Sequence, residues 1–411
     1  MSRYRLHPTP AQEEALLGHC AFARYVWNLA VEQRSWWQPG RPAPGFATQC
    51  RQLSEARAAF PWLAAGSVIV QQQALRDFHA AYASWFAAQA EWRTRTIKLP
   101  PEERSAAPSP PGWRKRDVNE GFRVVAVGPG DVRRLNRRWG EVLVPKLGWV
   151  RFRWSRPTPA AKSYRITRDR AGRWHVAFAA VPAAIPAPGN GEVVGVDRGV
   201  RVSAALSTGE LLTVASLRPA ERRRLRLLER RKARQRNGSR RRERTKLAVA
   251  RLKARETDRR RDWTEKVSTD LARRFDLICV EDLDVRAMTR TASGTVERPG
   301  RGVRQKTGLN RGILASGWGR LVDRLEQKAP GRVQRIPAAH TSQRCSACGH
   351  VAAESRQSQT AFRCVACAWA GNADYNAARN IAAAGQVVAA RGGQGSPGPV
   401  NREPPALGAV A

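Results

Sequence analysis

Apolar side chains recur every three or four positions in two stretches near the start of the chain, which is the period of a helix that buries one face. The first repeat is Leu16, Cys20, Ala23, Trp27 and Ala30, and the second is Leu75, Phe78, Tyr82 and Trp85. Thr9, Pro10 and Gln12 stand in the order of an N-cap, a first-turn proline and a capping-box glutamine. The pattern predicts helices over residues 9–98 and favours the core over a ligand platform for the aromatic stripes.

The pattern changes period after residues 99–120, which are rich in proline, serine and charge and read as a linker. Short runs rich in Val, Tyr and Trp follow, and they predict a small β-barrel between residues 122 and 182; a further short strand is predicted at residues 2–6. Arg151 and Arg153 alternate with apolar neighbours, so one strand face is cationic. That face either follows a phosphate backbone or is simply solvated.

A second set of strands begins after a linker at residues 182–191. Three short strands follow one another, the first of them "EVVGVD", and a fourth, "DLICVEDLD", lies at residues 276–284. The helix "GWGRLVDRLEQKAP" and the strand "RVQRIPAAH" come later, and a last helix begins near Asp374. Residues 291–308 are predicted to form a mobile loop, and the Gly- and Pro-rich end of the chain from Arg391 to be disordered.

A strongly basic segment at residues 218–262 follows the third strand of this set, and Asn237 and Gly238 divide it into two predicted antiparallel helices. Residues 218–261 hold 21 basic and five acidic side chains, and the whole chain has 73 basic against 34 acidic residues, a formal charge of +39. Such an excess repels itself unless a polyanion neutralises it, so it favours nucleic acid as a partner over a solvated, salt-laced helix pair. The candidate contacts are Arg222, Arg223, Arg230, Arg231, Arg234, Arg240, Arg241, Arg244, Arg251 and Arg255.

Four of the seven cysteines form two pairs, Cys345 with Cys348 and Cys364 with Cys367, separated by 15 residues. Paired thiolates at this spacing typically bind one Zn²⁺ tetrahedrally, and a site with four protein sulfurs has no open position for water. The spacing therefore predicts structural zinc, with His340 or His350 as a disfavoured replacement for one cysteine. No apolar run is long enough for a membrane span, and no signal peptide is visible, so we expect a cytoplasmic protein without a membrane partner.

Three carboxylates stand at the ends of predicted elements: Asp197 closes one strand, Glu281 closes another and Asp374 opens a helix. If these ends meet, the acids repel one another unless Mg²⁺ or Mn²⁺ lies between them. Two such ions about 3.5–4 Å apart activate water and stabilise the leaving oxygen in phosphodiester cleavage. Three strands, a helical insertion, a fourth strand and a late helix follow the RNase H order, in which the acids would meet. The alternative for Asp197 is an ordinary turn.

Several segments resemble the transposon-encoded TnpB (OrfB) proteins, relatives of the type V CRISPR effectors: "GVDRGV", "VEDL", "GLNRGILASGWGRL", "HTSQRCSACGH" and "FRCVACAWAGNADYNAARNI". The resemblance extends to Ile381 and implies an α/β multidomain protein. Its expected parts are an RNase H-like (RuvC) core with an inserted basic helical hairpin and a four-cysteine zinc module, preceded by a small wedge-like β-barrel interrupted by N-terminal helices. Ala368 and Trp369 depart from the Gly and the aromatic or His usual after the second cysteine pair.

The resemblance also implies an activity, that of an RNA-guided DNA endonuclease with a guide RNA, a target DNA and a target-adjacent motif. Asp197, Glu281 and Asp374 match the RuvC ligands of catalytic Mg²⁺ or Mn²⁺, and the four paired cysteines match the zinc ligands of the target-nucleic-acid-binding module. A separate transposase encoded by the same element is a further expected partner. In a bacterial cell, we expect the DNA-bound protein at the nucleoid.

The implied domains cover the whole chain. They are the first barrel strand (1–8), recognition helices and linker (9–120), the wedge-like barrel (121–190), the RuvC-like core (191–343) with the basic hairpin (218–262), the zinc module (344–372), the last RuvC-like helix (373–386) and a disordered tail (387–411).

Two other functions remain to be weighed at this point. A catalytically inactive nucleic-acid-binding regulator is disfavoured because all three acids are present. A transposase that itself transfers strands by tyrosine chemistry is disfavoured because the histidines, at positions 7, 19, 79, 175, 340 and 350, never form the required His-hydrophobe-His pair.

Overall fold

The computed structural model describes residues 2–38, 40, 42–97, 100, 106–294 and 299–392. The chain divides into two compact units, which we name unit 1 (Met1–Pro182 with Arg224–Ala254) and unit 2 (Ala183–Arg223 with Arg255–Ala411). Among the described helices, none combines the length and the apolarity that crossing a bilayer requires.

The predicted helical segment of unit 1 contains separate helices, namely α1 (Pro10–Ser35), α2 (Phe46–Ala59), α3 (Pro61–Ala65) and α4 (Val68–Thr96). The predicted cap of α1 is confirmed, because the Thr9 hydroxyl accepts a hydrogen bond from the Gln12 amide while the Gln12 side chain accepts one from the Thr9 amide. The first apolar repeat is buried throughout. In the second repeat, Tyr82 and Trp85 are only half-buried.

The strands of unit 1 are β1 (Ser2–Arg5), β2 (Gly121–Val125), β3 (Val132–Arg134), β4 (Trp139–Val144), β5 (Gly148–Arg153), β6 (Ser163–Arg168) and β7 (Trp174–Phe178). Within the described residues, one antiparallel sheet has the order β1-β7-β6-β2 and another the order β3-β4-β5. A bridge between Leu6 and Phe152 links them, and their buried side chains form one apolar core with α1 and α4. Arg151 and Arg153 are exposed, as the alternation predicts.

The sheet of unit 2 combines antiparallel and parallel pairing. Its strands are β8 (Val193–Asp197), β9 (Ala204–Leu206), β10 (Leu211–Leu212), β11 (Leu277–Asp282) and β12 (Val333–Pro337), in the order β10-β9-β8-β11-β12. The three consecutive strands β8, β9 and β10 pair antiparallel, whereas β11 pairs parallel with both β8 and β12. The distant strand β11 is thereby brought beside β8, which lies in the middle of the sheet.

The helices of unit 2, together with those that cross the division between the units, are α5 (Pro219–Arg234), α6 (Arg240–Arg274), α7 (Val285–Met288), α8 (Val303–Ser316), α9 (Trp318–Lys328) and α10 (Ala373–Gly392). A small hairpin of β13 (Ala361–Arg363) and β14 (Ala370–Asn372) precedes α10. The basic hairpin is thus formed by α5 and α6.

Three predicted boundaries are wrong. The second helix of the basic hairpin continues beyond residue 262, because Val267 and Leu271 bury an apolar face in the core of the sheet. The predicted loop 291–308 ends in the first turns of α8, where the side chains of Lys306 and Asn310 donate hydrogen bonds to carbonyl groups at the end of α7 and just after it. The last helix passes residue 386 and reaches Gly392. The remaining parts of the predicted linker, loop and tail at 98–99, 101–105, 295–298 and 393–411 lie outside the described residues.

Candidate active site and metal centre

Asp197 and Glu281 lie side by side at the ends of two central strands. The parallel pairing of β8 with β11 sets Val196 opposite Val280, so the next residue of each strand is the acid. In open α/β sheets, ligands bind beyond the carboxyl ends of the strands. The register therefore places both carboxylates at the edge of the sheet where a ligand is expected.

Asp374 reaches the same region because α10 packs directly on β8. Asn372 caps this helix, since its side-chain oxygen accepts hydrogen bonds from the amides of Asp374 (2.9 Å) and Tyr375 (3.1 Å). A Cβ on Gly195 would overlap the carbonyl oxygen of Ala378, so only glycine allows the helix to approach the strand this closely. The close packing brings the first turn of α10 to Asp197.

The three acids share one electrostatic environment. Burial, together with the charges of Glu281 and Asp374, raises the pKa of Asp197 to about 7. Burial also raises the pKa of Glu281 and that of Asp374, although the Arg356 guanidinium opposes both shifts. Arg356 Nη2 lies 3.8 Å from Asp374 Oδ1. A cation placed among these carboxylates would relieve the repulsion between them.

Two side chains that the sequence did not single out hold Glu281. The Thr341 hydroxyl donates a hydrogen bond of 2.7 Å to Glu281 Oε1, and both residues are buried. The buried guanidinium of Arg198 donates to the backbone carbonyl oxygen of Glu281. No sequence signal identifies Thr341, because its partner is set by the fold of the loop after β12.

The four cysteines converge on one point. Cys345 Sγ lies 3.7 Å from Cys367 Sγ, and Cys348 Sγ lies 3.6 Å from Cys364 Sγ. Tetrahedral Zn–S bonds of about 2.3 Å place the sulfur atoms about 3.8 Å apart, so this spacing fits a zinc ion. Neither His340 nor His350 belongs to the cluster.

The carboxylates are spread more widely than the thiolates. Within the described residues, the cysteines are the one group of three or more His, Cys, Asp or Glu whose ligand atoms all lie within 4.8 Å of one another. Like charges separate when no cation lies between them, and ligands of two ions about 3.5–4 Å apart need not all reach one point. The wider spacing is therefore compatible with a pair of ions.

Two asparagines of α10 connect the cysteine cluster to the carboxylates. Asn376 accepts a hydrogen bond from the Ser346 amide (2.8 Å), and its side-chain nitrogen donates to the Arg344 carbonyl (2.7 Å). The side-chain nitrogen of Asn380 donates to the carbonyl groups of Arg344 (2.7 Å) and Thr341 (2.9 Å). The helix that carries Asp374 thus also fixes the loop that carries Thr341 and the first cysteine pair.

Ala368 occupies a position that favours glycine. Its φ is +59°, and its amide donates a hydrogen bond to the Cys364 carbonyl (3.0 Å). Gly349 occupies the matching position after the first pair, with a φ of +77°. The departure from the family pattern therefore leaves the turn intact, at the cost of a strained alanine.

We expect Ala368→Gly to raise the free energy of unfolding of the zinc-loaded module by about 0.5–1 kcal/mol, because the relief of strain exceeds the entropy that glycine adds to the unfolded chain. Thermal melting of the zinc-loaded protein measures the change. Gly349→Ala is the matched control and should lower the melting temperature. Equal melting of Ala368→Gly and the unsubstituted protein would remove the strain argument.

All ten candidate arginines of the basic hairpin are exposed. Two acids of the hairpin form ion pairs with basic residues that are not among these ten candidates. Glu221 pairs with Arg259 (2.6 Å), and Glu229 pairs with Lys253 (3.0 Å). Arg255 is less available than the sequence suggested, because its Nη1 lies 3.5 Å from Glu221. Most of the positive charge is therefore left on the surface of the hairpin.

Comparison with known proteins assigns the family. Three family models match the chain. The helix-turn-helix domain of OrfB_IS605 proteins matches residues 2–41, and OrfB_IS605, described as "Probable transposase", matches residues 167–292. The Cas12f1-like TNB domain matches residues 318–381. The chain is also similar to "Putative RNA-guided DNA endonuclease InsQ" of Escherichia coli (strain K12), with 32% identity over 98% of this chain and 96% of that protein.

Two further similarities extend over most of the chain. A "Putative RNA-guided DNA endonuclease" of Streptomyces pristinaespiralis is 29% identical over 95% of this chain and 90% of that protein. In the solved structure "Cryo-EM structure of the Cas12f1-sgRNA-target DNA complex", the matching chain superposes with a TM-score of 0.53 at 12% identity, over 91% of this chain and 83% of that one, which indicates a similar fold. The chain therefore belongs to the TnpB (OrfB) family of transposon-encoded RNA-guided nucleases.

Proposed function

We propose that this protein is an RNA-guided DNA endonuclease of a transposable element, and that it cleaves phosphodiester bonds at a RuvC-like site formed by Asp197, Glu281 and Asp374. The observation that carries the proposal is the meeting of these three carboxylates, from β8, β11 and α10, in one electrostatic environment. The strand order β10-β9-β8-β11-β12, with the late helix on β8, is the order expected of an RNase H-like core.

The relatives support the same activity. InsQ and the Streptomyces protein both carry the name "Putative RNA-guided DNA endonuclease", and they match this chain over nearly its whole length. The Cas12f1 structure contains a single guide RNA and target DNA. In this proposal, base pairing with the guide selects the target, while protein contacts supply affinity for the nucleic-acid backbone.

The carboxylates would hold two Mg²⁺ or Mn²⁺ ions, which when bound supply an activated water and stabilise the leaving oxygen. Asp197 is the buried acid whose pKa is raised by the charges of both other acids, so it would be one of the residues that hold the ions. Thr341 fixes one Glu281 oxygen and leaves the other free to act as a ligand. The cysteine cluster would hold zinc with no open position, so its role is structural.

We further propose the domain roles that the family suggests. Residues 1–8 and 121–190 would form the wedge-like barrel, residues 9–120 the recognition helices and linker, residues 191–343 with 373–386 the nuclease core, and residues 344–372 the zinc module. The last helix of the core, α10, extends beyond the expected residue 386 to Gly392.

We expect Thr341→Val to lower the rate of target DNA cleavage about 10- to 100-fold, because Glu281 loses the hydrogen bond that orients it. Thr341→Ser keeps the hydroxyl and should retain most of the activity. The measurement is single-turnover cleavage, with thermal melting to show that both variants fold. If valine and serine variants cleave equally fast, the hydroxyl has no orienting role.

Nucleic-acid binding should depend steeply on salt, because arginine contacts with phosphates release counterions. Arg244→Gln should reduce the slope of log affinity against log salt by about one. Lys246→Gln is the matched control on the same helix, and its effect should be smaller because Glu243 already pairs with Lys246 at 2.6 Å. Filter binding across a salt series measures both slopes. Equal effects of the two substitutions would contradict a phosphate contact at Arg244.

The proposed function is tested by purifying the protein from cells that carry its element and sequencing the RNA that accompanies it. We expect one defined RNA species to dominate the sequences. Random cellular RNA in the preparation would favour an unguided nucleic-acid-binding protein instead.

A further inference from the structure

A cavity of about 490 Å³ lies on the surface of unit 1, outside the carboxylate and cysteine sites. Its floor is one face of α1, and α3 and the loop before β2 form its walls. Three large aromatic side chains line it while remaining open to solvent: Tyr25 is 41% exposed, Trp62 50% and Trp113 57%. Cavities of about 300–1,000 Å³ with aromatic walls are typical of sites for flat organic ligands.

The aromatic walls are held in place without being covered. The Trp62 ring meets the Tyr25 ring edge-on at 5.0 Å and stacks with Phe22 at 6.4 Å, measured between centroids. These contacts with Tyr25 and Phe22 fix the orientation of the Trp62 ring, which belongs to α3, against α1. Its exposed part is therefore a rigid surface that loses little entropy on binding.

Trp113 is presented in the same way by the loop that carries it. The Arg114 amide donates to the Asn28 side-chain oxygen (2.8 Å), and Asn28 donates back to the Arg114 carbonyl (3.1 Å). On the other side, Trp27 Nε1 donates to the Gly112 carbonyl (3.0 Å). Both neighbours of Trp113 are thus fixed to α1, whereas its own ring projects into solvent.

The charges around the cavity indicate which flat ligand would bind. Arg24, on the floor, is already neutralised by Glu120 at 2.6 Å. Trp113 is followed by Arg114, Lys115 and Arg116, and the latter two are exposed. Arg116 Nε lies 3.8 Å from Asp117 Oδ2, and one acid, Glu32, lines the cavity, so Lys115 is the cation best placed to meet a phosphate. Aromatic faces beside a run of cations bind nucleic acid by stacking a base and contacting the neighbouring phosphate.

We propose that this cavity stacks one unpaired nucleobase between Trp62 and Trp113, with the adjacent phosphate against Lys115. The proposal deepens the proposed function and rests on it, since it needs a nucleic-acid partner and names a site for that partner among residues of unit 1. The base belongs either to RNA or to single-stranded DNA, because both present the same aromatic face and the same phosphate.

The test uses short unstructured RNA and DNA oligonucleotides of one sequence, each carrying one 5-iodouracil and a fluorescent end label. Illumination joins 5-iodouracil to an aromatic ring on which it stacks, and mass spectrometry identifies the peptide. We expect cross-links at Trp62 or Trp113 with at least one of the two oligonucleotides. Whichever oligonucleotide gives the stronger cross-link identifies the source of the base.

Affinity supplies the second readout. Trp62→Ala and Trp113→Ala should each weaken binding of that oligonucleotide about 5- to 100-fold, measured by fluorescence anisotropy. Trp62→Phe should keep part of the affinity. Trp36→Ala is the matched control, because Trp36 is 69% exposed and lies outside the cavity. Thermal melting shows whether each variant folds.

Unchanged affinity of the folded Trp62 and Trp113 variants, together with no cross-link at either ring, would overturn the proposal. That result is separable from a failure of the proposed function. If the protein cleaves guide-matched DNA but no base stacks in this cavity, only the stacking proposal is rejected. If the protein never cleaves DNA yet cross-links at Trp113, the stacking proposal stands and the nuclease assignment is rejected.

Discussion

Asp197→Ala is expected to abolish cleavage of guide-matched DNA, with a loss of rate of about 10³-fold or more, while binding of RNA is unchanged. The charges of both Glu281 and Asp374 act on this buried carboxylate, and its removal takes away one of the three groups that would hold the ions. Losing several kcal/mol of transition-state stabilisation corresponds to a rate loss of this size. The measurement is single-turnover cleavage of a labelled DNA duplex, with RNA affinity determined on the same preparation.

The same substitution should not destabilise the metal-free protein, because burial and the two neighbouring acids, which raise the pKa of Asp197, disfavour its ionised form in the folded chain. Asp282→Ala is the matched control. Asp282 follows Glu281 on β11, is exposed, and forms a surface ion pair with Arg335 Nη1 at 3.3 Å. Cleavage by the Asp197 variant at the rate of the Asp282 variant would contradict the catalytic assignment.

Loss of zinc is the second change with a large expected effect. Cys364→Ser, or chelation of the metal, should release zinc and unfold the segment around the cysteine cluster, because binding free energies of about 10–16 kcal/mol are typical of four-ligand zinc sites. Cleavage should also fall, since the loop that carries Cys345 is hydrogen-bonded to α10 and the loop that carries Thr341 reaches Glu281. Zinc content, limited proteolysis and single-turnover cleavage measure these three consequences.

Cys50→Ser is the matched control for this prediction. Cys50 is a half-buried cysteine of α2 that does not belong to the cluster, so its replacement should leave zinc content and proteolysis unchanged. Full zinc content in the Cys364 variant, or an unchanged digestion pattern after chelation, would show that the cysteines do not hold a structural metal.

The sequence is informative about this site where chain order and strand pattern determine position. Apolar runs that end in Asp197 and Glu281 predict two carboxylates at strand ends, and the four-cysteine spacing predicts the cluster that the structure brings together. The parallel register of β8 with β11 is not visible in the sequence, yet it is what places the two acids side by side.

Other features depend on contacts between distant segments and could not be predicted. Nothing in the sequence distinguishes Thr341 from other loop threonines. Its hydrogen bond of 2.7 Å from Oγ1 to Glu281 Oε1 depends on the fold. The sequence predicts a loop at residues 303–308, because Gly and Thr are weak helix formers. The helix α8 begins there instead, since the side chains of Lys306 and Asn310 donate hydrogen bonds to the carbonyl groups of Met288 and Thr289. The aromatic face at Trp62 and Trp113 combines residues far apart in the chain, so no local pattern indicates it.

The central claim is that a bound RNA directs this protein to cleave DNA, and one measurement tests it most directly. The protein, purified with its RNA, is mixed with Mg²⁺ and two plasmids, one matching the RNA beside the target-adjacent motif and one scrambled in the matching segment. We predict that the matched plasmid is cut and the scrambled plasmid stays intact. Cutting of both plasmids at the same rate, or of neither, would contradict the account.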